Sequence, residues 1–449
     1  MGIYSIVVAI IIIIFIPAFE FIRKKEGKFD YLSLFNLIFI LAFGVVPVYC
    51  YSHLDEIKHW RVMIYNNLMD THFFIGSLIA LLFYIVMVIA YYFSRKLSFI
   101  SKTRKISEKI FSFEGKKTLL FKSALFLLMI GGFSFLIYIS LAGGLREYIR
   151  IGYSTRIQGQ SIQHPLVFVR NFTPLLCVAS FIFYATIRSS KGTAKFINII
   201  LFVLSFIGGT LVVFHSGGRM SFFVYFITFP LATLLYQNKI KIRSILIGGV
   251  FFIFMIVYGR SFLNPEADLQ AARQADSFAN GIIREFSFPF VNVGTMFDLF
   301  PKDYDFRWGI PDVLTAITGL IPQRVINLDF LQRESASKFN TTLYIEGGEM
   351  PVDIVSFGYM SLGLAGVIIV AILFGTLLRW TENLFSYRKN FVACMFASAL
   401  MINLAFRVMY GDPVLFMNSV FRYIIAIIVI IMFLKLEKLP RIVWKKARL

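Results

Sequence analysis

The chain has 449 residues, 58% of them hydrophobic, with 45 Lys and Arg against 25 Asp and Glu for a formal net charge of +20. Apolar runs of about 20 residues, the length one helix needs to cross a bilayer, recur along it and exclude a soluble globular domain. Its three cysteines, Cys50, Cys177 and Cys394, lie far apart without metal or redox spacing, which argues against a disulfide framework or a thiol nucleophile.

In chain order the apolar runs predict spans near 3–22, 32–52, 73–93, 119–142, 165–187, 196–215, 220–237, 244–261, 353–378, 391–409 and 420–436. This is an all-α, polytopic integral membrane protein of about eleven transmembrane helices. The first run has neither a basic leader nor a small-residue cleavage site, so it is read as a retained helix. Alternate loops carry the basic excess: Arg23 to Lys28, Arg95 to Lys117, Arg188 to Lys195, Lys239 to Arg243, Arg379 to Lys389, and the tail from Lys435 to Arg448. Short cytoplasmic loops carry such an excess, so the N-terminus is expected outside and the C-terminus in the cytoplasm. The charge thus reads as topology and contact with anionic membrane lipids, and nucleic acid is dropped as a partner.

The 52 phenylalanines are taken as lipid-facing and packing surface. No internal repeat and no matched pair of interrupted helices is found, which weakens a transporter reading. The organisation is therefore 1–261 (helices one to eight), 262–352 (one long external loop) and 353–449 (helices nine to eleven and a cytoplasmic tail). Long polar insertions of this kind are where function concentrates.

On the outward face nearly every basic residue is arginine; lysine is confined to Lys58, Lys302 and Lys338. Arg146, Arg150, Arg156 and Arg170 flank the loop between helices four and five, Arg219 ends helix six, and Arg260 ends helix eight. Arg407 closes helix ten and Arg422 is expected to open helix eleven at the same headgroup level. A lone arginine there snorkels to phospholipid phosphate. A ring of arginines with too few acids to pair them suits a phosphate-rich ligand, because the planar fork grips phosphate oxygens two at a time. His215-Ser216-Gly217-Gly218-Arg219 joins two apolar helices with almost no loop, so amides and a guanidinium can converge on one anion. The same segment also suits a tight helical hairpin.

Within the long loop, Ile282 to Phe300 and Leu314 to Phe330 suggest short helices along the membrane surface. Asp303-Tyr304-Asp305 is similar to the paired-carboxylate motif that holds a metal in many glycosyltransferases, but such pairs arise readily by chance, and no metal or cofactor is expected. Glu346 or Glu349, just before Pro351 and the re-entry of the chain into helix nine, is placed to act as a general base or to lie in a solvated turn. His53, His59, His72 and His164 show no ligand spacing and read as interfacial residues, with His164 a minor candidate base.

These features resemble the bacterial lipid-linked repeat-unit polymerases of O-antigen, enterobacterial common antigen and capsule assembly, the Wzy type. The resemblance is sharpest from about 205 to 425. It rests on Gly217-Gly218-Arg219, Tyr258-Gly259-Arg260, Arg284 with the following Phe and Pro, Ile321-Pro322-Gln323-Arg324, Ser356-Phe357-Gly358-Tyr359 leading to Gly363 and Gly366, and Arg407 with Asp412 and Arg422. It implies a GT-C-like fold and a glycosyl transfer in which polysaccharide on undecaprenyl diphosphate passes to a new undecaprenyl-diphosphate-linked oligosaccharide. It further implies that Arg219, Arg260 and Arg407 grip diphosphate, with Arg284 and Arg324 closing over sugar or phosphate. Glu346, then Asp412, would be the base. Arg146, Arg150 and Arg170 would serve the second lipid carrier, and a chain-length regulator would be a partner. The alternatives are an O-antigen ligase, whose loop histidine is absent from 262–352, and a lipid-linked oligosaccharide flippase, which needs charge at mid-depth.

Overall fold

The computed structural model describes residues 3–25, 27, 29–53, 70–111, 117–158, 162, 164–215, 219–238, 249–250, 278–320, 333–343, 351–386 and 390–436. Among them the elements are α1 (Ile3–Ile22), α2 (Tyr31–Ser52, with a π-helical turn at Leu41–Val45), α3 (Asp70–Phe93), α4 (Ser98–Phe111), α5 (Lys117–Leu141) and α6 (Leu145–Gln158). A 3-10 segment, Pro165–Phe172, leads to α7 (Leu175–Ile187), α8 (Gly192–His215) and α9 (Arg219–Gln237). The external region supplies α10 (Phe278–Leu299), α11 (Ile310–Thr318) and α12 (Ala336–Thr342); α13 (Ile354–Leu384), α14 (Phe391–Ala405) and α15 (Pro413–Leu436) complete the chain.

Nine helical stretches among the described residues are long and apolar enough to cross a membrane, so the protein is membrane-embedded. The apolar part of α9, Ser221–Gln237, is shorter. Of the expected span 244–261 only 249–250 are described. The core forms around α14, whose every residue from Phe391 to Ala405 is buried. With α2, α7, α9 and α15 packed around it, this helix never meets lipid. α3 packs extensively on α13, where Gly375 lies against the Met87 carbonyl and Ala90. Small residues at such crossings let backbones approach, which is how helices associate where lipid is as apolar as leucine.

Lys24, Arg95 and Arg379, from three of the basic segments, come together with Asp30, Tyr91 and Tyr92. Arg23, which the sequence suggests as a lipid-facing charge, is instead buried: it donates to both oxygens of Asp30 (2.8 and 2.5 Å) and both of Glu20 (2.6 and 3.0 Å). Asp30 caps α2 by accepting the Ser33 amide at 2.8 Å. Arg379 is likewise buried, 3.6 Å from Glu382 and hydrogen-bonded to Tyr91 Oη at 3.3 Å. Lys24 and Arg95 remain exposed.

Two expectations change in the external region. The run Ile282 to Phe300 is helical but does not lie along a surface: Phe286, Phe290, Val291, Val293 and Met296 of α10 are buried. Gly294 lets α10 press against Gly76 of α3, where a Cβ would sit 3.1 Å from the Gly294 amide. The last helix begins at Pro413 and not near 420, because Asp412 caps it and proline is tolerated in a first turn.

The long α13 is two pieces. Leu362 and Gly363 leave helical geometry, Gly363 at φ +61°, and a Cβ on Gly366 would run into the Gly358 carbonyl oxygen. The leg 354–361 therefore doubles back on the start of the span, and the 21 residues from Leu364 to Leu384 are about the number that crosses a bilayer. The break frees two carbonyls. Met360 O accepts from the Arg307 amide at 2.8 Å and Ser361 O from the Trp308 amide at 2.9 Å, which satisfies groups that would be costly to leave bare.

Candidate functional site

The arginine-bearing elements gather at the end of α14. After Ala405 the chain tightens into a 3-10 turn, Arg407–Met409, and Arg407 Nη1 donates to Ser221 Oγ at 3.3 Å. Ser221 lies two residues into α9, which Arg219 begins. The Phe406 ring stands 5.6 Å from Phe223 and 5.7 Å from Phe286, two residues beyond Arg284 in α10. Three elements far apart in sequence, carrying Arg219, Arg284 and Arg407, thus meet on one aromatic residue. The side chains of Arg219 and Arg284 lie outside the described residues, as do Arg260, Arg324, Glu346 and Glu349 altogether.

A second group adjoins it. α6, which carries Arg146 and Arg150, docks on the end of α8 through Tyr148 and Gly152. His215 Nδ1 is 2.7 Å from the Tyr148 carbonyl oxygen, its ring stacks on Tyr148 at 4.0 Å, and the Tyr138 ring meets it in a T-shaped contact at 5.3 Å. A Cβ on Gly152 would collide with the His215 carbonyl, so glycine alone permits this approach. Arg170 is the charged neighbour of both Tyr148 and His215. Arg146 and Arg150 are exposed, Arg150 paired with Glu147 at 2.8 Å. Phe214 meets Phe222 edge-on at 5.1 Å, which joins this group to the start of α9 and so to Arg407.

Arg422 departs from expectation. It does not open its helix but follows Pro413 by nine residues, about 13 Å along the axis at 1.5 Å per residue. Its guanidinium lies 5.0 Å from the Tyr423 ring centroid, with Cys177 and Tyr225 as its other polar neighbours. Its Nε is buried without a hydrogen-bond partner among the described residues. An arginine at that depth is costly unless it faces partners or a wet cavity.

Asp412 is 1% exposed, and each oxygen already accepts a backbone amide: Ser337 N at 2.8 Å and Leu415 N at 2.9 Å. The carboxylate ties α12 to the start of α15. Arg307 and Arg333 of the long loop are also spent on structure, both on the fully buried Asp312. Arg307 further donates to Glu334 O at 2.6 Å, and Arg333 to Arg307 O at 2.6 Å. Asp303 and Asp305 point to solvent while Tyr304 packs on Phe339 at 5.3 Å. At the base of the re-entrant leg, burial pushes the Asp353 carboxyl up to about 7.

Among the histidines, His53 stacks on Tyr49 at 4.1 Å, His72 is 3.4 Å from Asp298, and His164 caps the 3-10 segment by accepting Leu166 N at 3.2 Å; His59 is outside the described residues. The histidine inside the arginine-rich end is His215, which sequence reasoning placed in the joint before Arg219 without giving it a role. Its position four residues before Arg219 was the available signal; its partner Tyr148, 67 residues earlier, was not.

No protein-family model, curated protein or solved structure matches the chain. Fold and composition define a polytopic, all-helical membrane protein.

Proposed function

We propose that this chain is a membrane glycosyltransferase that polymerises undecaprenyl-diphosphate-linked oligosaccharide repeat units at the outer face of the cytoplasmic membrane. The observation that carries the reading is the meeting at Phe406 of the elements bearing Arg219, Arg284 and Arg407. Cleaving the bond from an anomeric carbon to diphosphate builds negative charge on the leaving group, and fixed cationic donors in a poorly hydrated site stabilise it. Diphosphate is already a good leaving group, so the guanidinium groups do work a metal ion would otherwise do. Arg219, Arg260 and Arg407 hold the diphosphates, Arg284 and Arg324 close over sugar or phosphate, and Arg146, Arg150 and Arg170 serve the second carrier. Arg422 waits deeper, and Asp412 positions the external segment. A chain-length regulator is the proposed protein partner.

The flippase alternative has one observation in its favour, the mid-depth cation Arg422. One experiment separates the readings: a polysaccharide gel from cells lacking the gene, with and without a plasmid copy, plus detection of undecaprenyl-linked glycans. A single repeat on its final acceptor in place of a ladder supports polymerase. Long polymer stranded on undecaprenyl diphosphate means ligase, and single repeats held on the inner leaflet mean flippase.

A further inference from the structure

Glycosyl transfer to a hydroxyl needs somewhere for the proton to go. Of the carboxylates described at the arginine-rich end, Asp412 has both oxygens occupied by backbone amides and Glu147 is paired with Arg150. His215 is differently placed. It ends α8, four residues before Arg219, and is 8% exposed. Its Nδ1 faces a carbonyl oxygen, which can only accept, so the proton of the neutral ring sits on Nδ1 and the lone pair on Nε2.

The ring is held on three sides. Tyr148 stacks on one face with 16° between planes, the Tyr138 ring stands perpendicular to it at 87°, and Gly152 admits the α6 backbone beside it. Tyr148 is itself fully buried, and its Oη takes no hydrogen bond among the described residues. A histidine whose tautomer is fixed by a backbone carbonyl and whose plane is fixed by two tyrosines is oriented as a base, with Nε2 as its working atom.

We infer that His215 Nε2 takes the proton of the acceptor hydroxyl in the transfer proposed above, an inference that rests on that reading. The hydroxyl oxygen bonds to the anomeric carbon while its proton passes to Nε2. The bond from that carbon to diphosphate breaks, and its electron pair leaves on the diphosphate that the arginines neutralise. The imidazolium then returns its proton to water or to the released diphosphate. In sequence, the base thus stands four residues before one of the proposed diphosphate-binding cations, Arg219.

The test uses the full chain reconstituted in phosphatidylethanolamine–phosphatidylglycerol vesicles, with a synthetic undecaprenyl-diphosphate-linked repeat as the probe and elongation read on a gel. His215→Asn keeps a donor for the Tyr148 carbonyl and removes Nε2; His215→Ala opens room for free imidazole. The expected result is a loss in kcat of about 100-fold or more in both variants, with KM little changed. Added imidazole restores elongation to His215→Ala. Elongation by His215→Asn within threefold of wild type overturns the inference and leaves the glycosyltransferase reading standing. Loss in both variants with no imidazole rescue makes His215 a packing residue and also overturns it. Wild-type protein that elongates nothing overturns both.

Discussion

Gly358 and Gly366 stand backbone against backbone, although eight residues of straight helix would hold them about 12 Å apart. The reversal at Leu362–Gly363 brings them together, and neither position has room for a side chain. Gly366→Val is expected to prevent accumulation of folded protein, read as membrane-fraction yield and monodispersity in detergent. Gly132, with open space around it in α5, is the control: Gly132→Ala should raise stability by about 0.5–1 kcal/mol.

Asp353 gives the fold a pH dependence. It caps the re-entrant leg through the Val355 and Ser356 amides (2.9 and 3.0 Å), and burial pushes its carboxyl up to about 7. A raised carboxyl stabilises the folded state fully below the ordinary carboxylate range and loses that contribution as pH rises from about 4 to about 7. Thermal unfolding in detergent should therefore fall over that window by the equivalent of a few kcal/mol. Asp353→Asn keeps the cap and should flatten the slope; an unchanged slope would place its origin elsewhere.

Arg23 is the keystone of the opposite end. Removing it leaves the buried Asp30 without a counter-charge, while half-buried Glu20 keeps Lys25 at 2.7 Å, and Arg23→Ala should cost about 3–5 kcal/mol. The check is the unfolding midpoint of purified protein beside Lys24→Ala, whose exposed side chain should matter little.

Asp412→Asn separates positioning from chemistry. One backbone amide loses a charged acceptor, so stability should drop by about 1–2 kcal/mol. Elongation per folded molecule should stay within a few fold of wild type. A loss near 100-fold would make Asp412 the proton acceptor and displace His215.

Arg407→Lys tests the grip itself. Lysine keeps the charge but loses the fork that holds two oxygens at once, so polymer ladders should shorten or vanish while protein remains in the membrane. Arg219→Ala should abolish polymer, and normal ladders from both variants would sink the phosphate-grip model.

Hydropathy made most of the spans legible, because a helix such as Lys117–Leu141 announces itself by length and apolarity alone. The start of α15 was missed for a local reason: Arg422 was taken as a boundary marker, while the capping pair Asp412-Pro413 carried the true one. α10 was recognised as a helix but placed on a surface, since Pro289, Asn292 and Thr295 dilute its apolar character. Its burial depends on Gly76 and Gly294 meeting across two segments, which no single stretch encodes. The candidate site divides the same way. Arg219 and Arg407 could be read as residues of one face, whereas the tyrosine clamp on His215 exists only once α6 has docked.

The stitched reversal in α13 also fixes an order of events during synthesis. The amides of Arg307 and Trp308 leave the ribosome 53 residues ahead of the Met360 and Ser361 carbonyls they will serve. When the bend at Gly363 emerges, its donors have already been made, so the turn can form without bare carbonyls waiting for partners. A chain with these two halves swapped would have to insert the bend first and find its donors afterwards.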